Sequence, residues 1–171
     1  MKSTSNDMQS TLKLLSQSPE ETRLIGNTIS AHAKSGDIIL LTGDLGAGKT
    51  CLTQGLLLGL GSNETARSPT FVIATEYVAR IRLYHLDLYR LDHLEEIEDL
   101  GLDEYLFGEG ICVVEWAEKG DGLWPNDHLT IPMDQVASKT RLLTLLANGN
   151  RHCALLDAIG GTVPDMTTVA K

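Results

Sequence analysis

Ile38-Ile39-Leu40-Leu41-Thr42-Gly43-Asp44-Leu45-Gly46-Ala47-Gly48-Lys49-Thr50-Cys51 is the stretch whose reading decides the fold. Its first five residues form a continuous apolar run, as expected of a strand buried on both faces of a parallel sheet. Gly43 to Thr50 fits the pattern G-x-x-x-x-G-K-[ST], and a helix-like segment follows, closed by Gly59 and Gly61. Strand, glycine-rich turn and helix in that order make a phosphate-binding loop. The glycines let the backbone turn sharply and bring its N–H groups against a polyphosphate. The helix starting near Lys49 points the positive end of its dipole at the same anion. Lys49 then reaches the β- and γ-phosphates, and the Thr50 hydroxyl can hold Mg²⁺.

The 171 residues, 42% of them apolar, predict one α/β domain over residues 1–150, followed by a C-terminal helix and a flexible tail over 151–171. A three-layer fold with a mixed, mainly parallel sheet is expected. Met1 to Met8 is polar and carries no signal- or transit-peptide pattern, and no apolar run approaches membrane-spanning length. Cys51, Cys112 and Cys153 form no C-x-x-C, so they read as small buried hydrophobes of a chain in a reducing, cytoplasmic compartment. The net charge of −9, with no Lys/Arg run, disfavours direct binding to RNA or DNA.

Working outward, Thr11 to Leu15 reads as a strand. Ser18-Pro19-Glu20-Glu21 starts a helix running to about Lys34, with Ser18 as cap and Glu21 as the capping-box acid. Thr22, Leu24, Ile25 and Ile29 fall on one face of that helix, which reads as core first and as a nucleotide-base contact second. Phe71 to Val78 and Ile81 to Arg90 read as an antiparallel hairpin, and Leu91 to Leu106 as one acidic helix. Ile111 to Trp116 has the pattern of another buried strand. Leu129 to Val136 and Thr140 to Leu146 read as a second hairpin, and Arg151 to Ile159 as a last helix.

Three places add chemistry to the loop. At Ser68-Pro69-Thr70 the proline holds Ser68 extended and presents two hydroxyls on a constrained turn, either a γ-phosphate-sensing switch or an ordinary strand entry. In His85-Leu86-Asp87-Leu88-Tyr89-Arg90, alternation places His85, Asp87 and Tyr89 on one face. His85 and Asp87 could pair on a metal, although two ligands do not make a site; beside a phosphate loop, Asp87 reads as a carboxylate near Mg²⁺ or water. Glu115 closes a buried strand on the side where ligands of open α/β sheets sit, which is the Walker-B arrangement with Glu for the usual Asp. Arg141 reads as a surface residue or as a phosphate or base contact.

A GTPase would carry an N-K-x-D motif, which is absent, so adenine is the expected base. A small-molecule kinase and a nucleotide-sensing module without turnover remain alternatives, although an acidic stretch stands where a kinase would place an arginine-bearing lid.

Taken together, Gly43 to Thr50, Ser68-Pro69-Thr70-Phe71, His85-x-Asp87-x-Tyr89-Arg90 and Glu115-Trp116 closely resemble the TsaE family, also called YjeE, over about Pro19 to Asn148. The resemblance implies an ATPase serving the synthesis of threonylcarbamoyladenosine in tRNAs that read codons starting with A. It implies action with the TsaB and TsaD proteins, without transfer of the group and with tRNA met only indirectly. ATP and Mg²⁺ are the implied ligands. Gly43, Asp44, Leu45, Gly46, Ala47, Gly48, Lys49, Thr50 and Cys51 would bind nucleotide, joined by Thr22, Ser68, Thr70 and Arg141. Thr50 and Glu115 would hold the metal, and Asp87, Glu115 and Lys49 would carry catalysis. Trp116 would support the site and the partner surface.

Overall fold

The computed structural model describes residues 9–68 and 73–163. Thr70, Pro69 and Phe71, which carry much of the expected switch turn, lie outside them, as does the expected tail from residue 164 onward.

Seven strands form one sheet in the order β1-β7-β6-β2-β5-β4-β3. They are β1 (Gln9–Ser16), β2 (Ile38–Thr42), β3 (Ala74–Tyr77), β4 (Leu83–Asp87), β5 (Ile111–Glu115), β6 (His128–Gln135) and β7 (Arg141–Asn148). The central four, β6-β2-β5-β4, are parallel, whereas β3 and the β7-β1 pair join antiparallel at the flanks. The helices among the described residues are α1 (Pro19–His32), α2 (Lys49–Gly59), α3 (Leu94–Glu98), α4 (Asp103–Leu106) and α5 (Gly149–Gly160), with a 3₁₀ turn at Ala117–Gly120.

Alternation along β2 divides the interior. Ile39 and Leu41 face a core shared with Ile25, Ile29, Leu52, Leu56 and Leu156 of α1, α2 and α5. Ile38 and Leu40 face a smaller core under α3, α4 and the 3₁₀ turn, with Ile97, Leu106 and Ala117. This is the three-layer, mixed α/β architecture expected, with its parallel part at the centre.

Ser18 caps α1 by accepting from the Glu21 N–H at 3.2 Å, and the Glu21 carboxylate reaches back to the Gln17 N–H at 2.7 Å, one residue before the usual capping-box partner. Leu24 does not join the core face of α1: it is 56% exposed, and Gly26 faces α2 instead. A Cβ on Gly26 would stand 2.4 Å from the Leu52 carbonyl oxygen, and one on Gly55 would stand 2.1 Å from that of Arg23. The two helix backbones therefore touch directly.

The expected single acidic helix is two short ones, because Gly101 takes φ +68 and turns the chain between α3 and α4. Helix α5 packs Leu155, Leu156 and Ile159 into the larger core. Its first turn is tied to the sheet, with Arg151 donating to both oxygens of the buried Asp37 at 2.8 and 2.6 Å. His152 Nδ1 lies 2.6 Å from Asp127, while its Nε2 accepts from the Ile38 N–H at 3.1 Å. Cys112 and Cys153 are buried, and burial pushes the Cys112 thiol up to about 12. Among the described residues, no helix is long and apolar enough to cross a membrane.

Candidate functional site

The parallel register sets Glu115 opposite Leu41 on one side and Asp87 on the other. Strands β2, β5 and β4 thus end at one edge of the sheet, and the loop leaving β2 crosses that edge. Gly43 has φ +133, and a Cβ there would stand 2.4 Å from the Met133 carbonyl oxygen of β6. Both the conformation and the close approach require glycine. Gly48, at φ +105, is the left-handed residue from which α2 starts, so the first free N–H groups of that helix lie at the loop.

From the outside, Arg141 fastens the loop. Its Nε donates to the Ala47 carbonyl and one terminal nitrogen to that of Gly46, both at 3.1 Å, while the other terminal nitrogen donates to Ala137 and Thr140 of the hairpin turn. A forked guanidinium suits such multiple donation, and the contact was not legible as either a surface or a phosphate role.

On the inside, Lys49 is buried. Its ammonium donates to the carbonyls of Gly43 and Asp44 and lies 4.0 Å from the centre of the Trp116 ring. Burial lowers its pKa below the ordinary lysine value, against the opposing pull of the Glu115, Glu118, Asp87 and Asp44 carboxylates. Trp116 adopts φ +59, the only positive φ of a non-glycine residue among the described residues, directly after the carboxylate that ends β5. The Tyr89 ring packs against it at 4.9 Å.

The Thr50 hydroxyl lies 2.9 and 3.0 Å from the two oxygens of Glu115, which is buried. His85 Nε2 stands 2.8 Å from Glu115 Oε1. The suggested His85–Asp87 metal pair is thereby corrected: the imidazole engages Glu115, and Asp87 accepts instead from the Ser68 hydroxyl at 2.6 Å and the Tyr89 N–H at 2.9 Å. Among the described residues, no group of three or more His, Cys, Asp or Glu could hold a metal ion. A hydroxyl beside one or two carboxylates, all hard oxygen donors, does fit Mg²⁺, which takes its remaining ligands from phosphates and water.

A cavity of about 220 Å³ brings together Lys49, Thr50, Ser68, Asp87, Glu115 and Trp116. A second, of about 250 Å³, is lined by Pro19, Thr22, Lys139 and Arg141 and shares Gly46, Gly48 and Cys51 with the first. Thr22 is buried, its hydroxyl 2.7 Å from that of Ser16. Cys51 donates to the Pro19 carbonyl, and burial raises its thiol pKa, against the pull of the adjacent Arg23. A third concavity, about 430 Å³, lies beside the 3₁₀ turn around Thr42, Trp124 and Thr130, and no residue of the loop from 43 to 48 lines it.

Comparison with known proteins gives the family. The model of the family described as "Threonylcarbamoyl adenosine biosynthesis protein TsaE" matches residues 16–143. The tRNA threonylcarbamoyladenosine biosynthesis protein TsaE of Bacillus subtilis is 44% identical over 149 residues, which cover 86% of this chain and 93% of the relative. The protein of the same name from Treponema pallidum is 38% identical, over 78% of this chain and 99% of the relative. The crystal structure of Bacillus subtilis YdiB superposes with a TM-score of 0.77 at 39% identity, covering 90% of this chain and 97% of that one. The chain therefore belongs to the TsaE family, the proteins of tRNA threonylcarbamoyladenosine biosynthesis.

Proposed function

We propose that this chain is a Mg²⁺-dependent ATPase that serves threonylcarbamoyladenosine synthesis in the cytoplasm, acting with TsaB and TsaD and not transferring the group itself. The observation that carries the reading is the pairing of Thr50 and Glu115 at the start of α2, beside Lys49. In this reading the N–H groups from Gly43 to Thr50 cradle the β- and γ-phosphates of ATP. Lys49 exchanges its two loop carbonyls for phosphate oxygens, and Thr50 with Glu115 holds the metal. Mg²⁺, when bound, neutralises charge on the phosphates. The adenosine occupies the adjoining cavity of Thr22, Cys51 and Arg141.

Asp87 is the residue for the attacking water. Its carboxylate is oriented by Ser68 and the Tyr89 N–H and opens into the same cavity as Lys49. Water oxygen bonds to the γ-phosphorus, the bond to the β–γ bridging oxygen breaks, and the water proton is held at Asp87 as ADP leaves. The hydroxyls of Ser68 and Thr70 respond to the γ-phosphate, so the state of the nucleotide is passed to the surface that partners meet. The acidic stretch from Asp92 to Glu104 suits docking on a basic partner face, and tRNA is met only through those partners.

The test is phosphate release from ATP and Mg²⁺ by the chain alone and with purified TsaB and TsaD, with Lys49→Ala as control. Stimulation by the partners that disappears in Lys49→Ala is expected. ATP binding without stimulation would remove the partnered-ATPase reading and direct the search to small-molecule phosphate acceptors.

A further inference from the structure

His85 is wholly buried in β4, in register with Val113 of β5 and Thr75 of β3, with the Tyr77 ring 6.3 Å away. Its Nδ1 is the one buried side-chain nitrogen or oxygen among the described residues that has no hydrogen-bond partner. An orphaned buried nitrogen lowers stability, and an apolar side chain of similar size would fill the space without it. What the imidazole adds is its other nitrogen, 2.8 Å from Glu115 Oε1.

We propose that His85 is a positioning residue that donates from Nε2 to Glu115 and so fixes the carboxylate toward Thr50 and the metal. This rests on the reading of Thr50 and Glu115 as the Mg²⁺ pair. A glutamate side chain has three torsions, and the strand backbone limits only the first of them. Packing within the sheet fixes the ring, and the ring directs the carboxylate. The carboxylate accepts, so the proton sits on Nε2. Nδ1 has no acceptor within reach and is left bare. Partners that orient a ligating carboxylate commonly contribute tenfold or more to metal affinity.

The experiment uses the full chain, ADP as nucleotide and Mn²⁺ as the metal, with free Mn²⁺ counted by electron paramagnetic resonance. ADP affinity is measured separately in EDTA. His85→Gln places an N–H donor where Nε2 stands, whereas His85→Asn carries a similar amide that stops short of Glu115. The Asn variant is expected to bind Mn²⁺ about tenfold more weakly in the ADP complex and the Gln variant within roughly twofold of wild type, with ADP affinity in EDTA unchanged in both. Wild-type Mn²⁺ affinity in the Asn variant, or equal losses in the two, would overturn the proposal. The wild-type chain gives a check that needs no variant: long-range ¹⁵N–¹H spectra should show the His85 proton on Nε2, and a proton on Nδ1 alone would also overturn it. Wild-type protein that failed to bind ADP in EDTA would remove the phosphate-loop reading and this role with it. Intact ADP binding with unaltered metal affinity would remove only the role of His85.

Discussion

Thr50 and Glu115 are 65 residues apart in sequence, yet the hydroxyl of one lies within 3.0 Å of both carboxylate oxygens of the other. The pair exists because β2 and β5 are parallel neighbours, so the loop after one crosses the end of the other. Glu115→Gln keeps the side-chain volume and removes the charge. Mg²⁺-dependent ATP hydrolysis is expected to fall roughly 10²- to 10³-fold, the scale of losing one preorganised charge contact. ATP affinity in EDTA should hold, since the loop backbone and Lys49 supply it. Wild-type turnover would reduce Glu115 to a strand-end acid.

Lys49→Ala removes the cation that faces the proposed phosphates. ATP affinity should weaken by about 2–3 kcal/mol, the worth of charge-assisted hydrogen bonds, which is roughly 30- to 150-fold in Kd. Isothermal calorimetry reads the affinity, and circular dichroism should show the fold retained.

The pH dependence of stability has one identifiable contributor far from the loop. Burial raises the pKa of Asp127, but donation from His152 and from the backbone N–H groups of Arg151 and His152 outweighs it, so the carboxyl lies below the ordinary value of 3.8. A group depressed on folding contributes stability above its unfolded value, and that contribution is lost as pH falls through the folded one. Asp127→Asn should therefore lower stability at neutral pH and flatten its decline below about pH 4, as denaturant melts across pH 3–7 would show. A parallel shift of the whole curve would mean that the carboxylate charge plays no part.

Gly55→Ala places a methyl group 2.1 Å from the Arg23 carbonyl oxygen, where helix backbone has to move. Overpacking of this kind costs about 1–3 kcal/mol, a fall in Tm of roughly 2–12 °C for a chain of this size. Alanine has the higher helix propensity, so an unchanged or raised Tm would show that α1 and α2 are not in backbone contact.

What the sequence disclosed was local. Ile38–Thr42, the glycine loop, the end of α2 at Gly59 and the β6–β7 hairpin were legible because a strand pattern, a left-handed turn and a helix stop each lie within a few residues. The place of Glu115 was also legible, since ligands of such sheets gather at the strand ends. His85 was placed on the right face but given the wrong companion, because its partner follows from the parallel register of β4 against β5, which no short pattern encodes. Leu24 was put in the core by its spacing, whereas the glycine contact with α2 turned the helix so that Gly26 faces inward. Arg141 could not be resolved between surface and ligand because its acceptors are carbonyls 94 and 95 residues away.

The bare glycine contact between α1 and α2 gives the molecule the property of a gauge. Helix α1 begins beside the cavity of Thr22, and α2 begins at the lysine and threonine of the loop. Where Gly26 meets Leu52 and Gly55 meets Arg23, no side chain stands between the helices to compress or slide, so at those points the span from one cavity to the other is held by main chain against main chain. In the proposed reading the base is seated at one fixed mark and the metal at another. What varies among nucleotides is how far the phosphate chain projects past the second mark, toward Ser68. Distinguishing a triphosphate from a diphosphate then becomes a measurement of length.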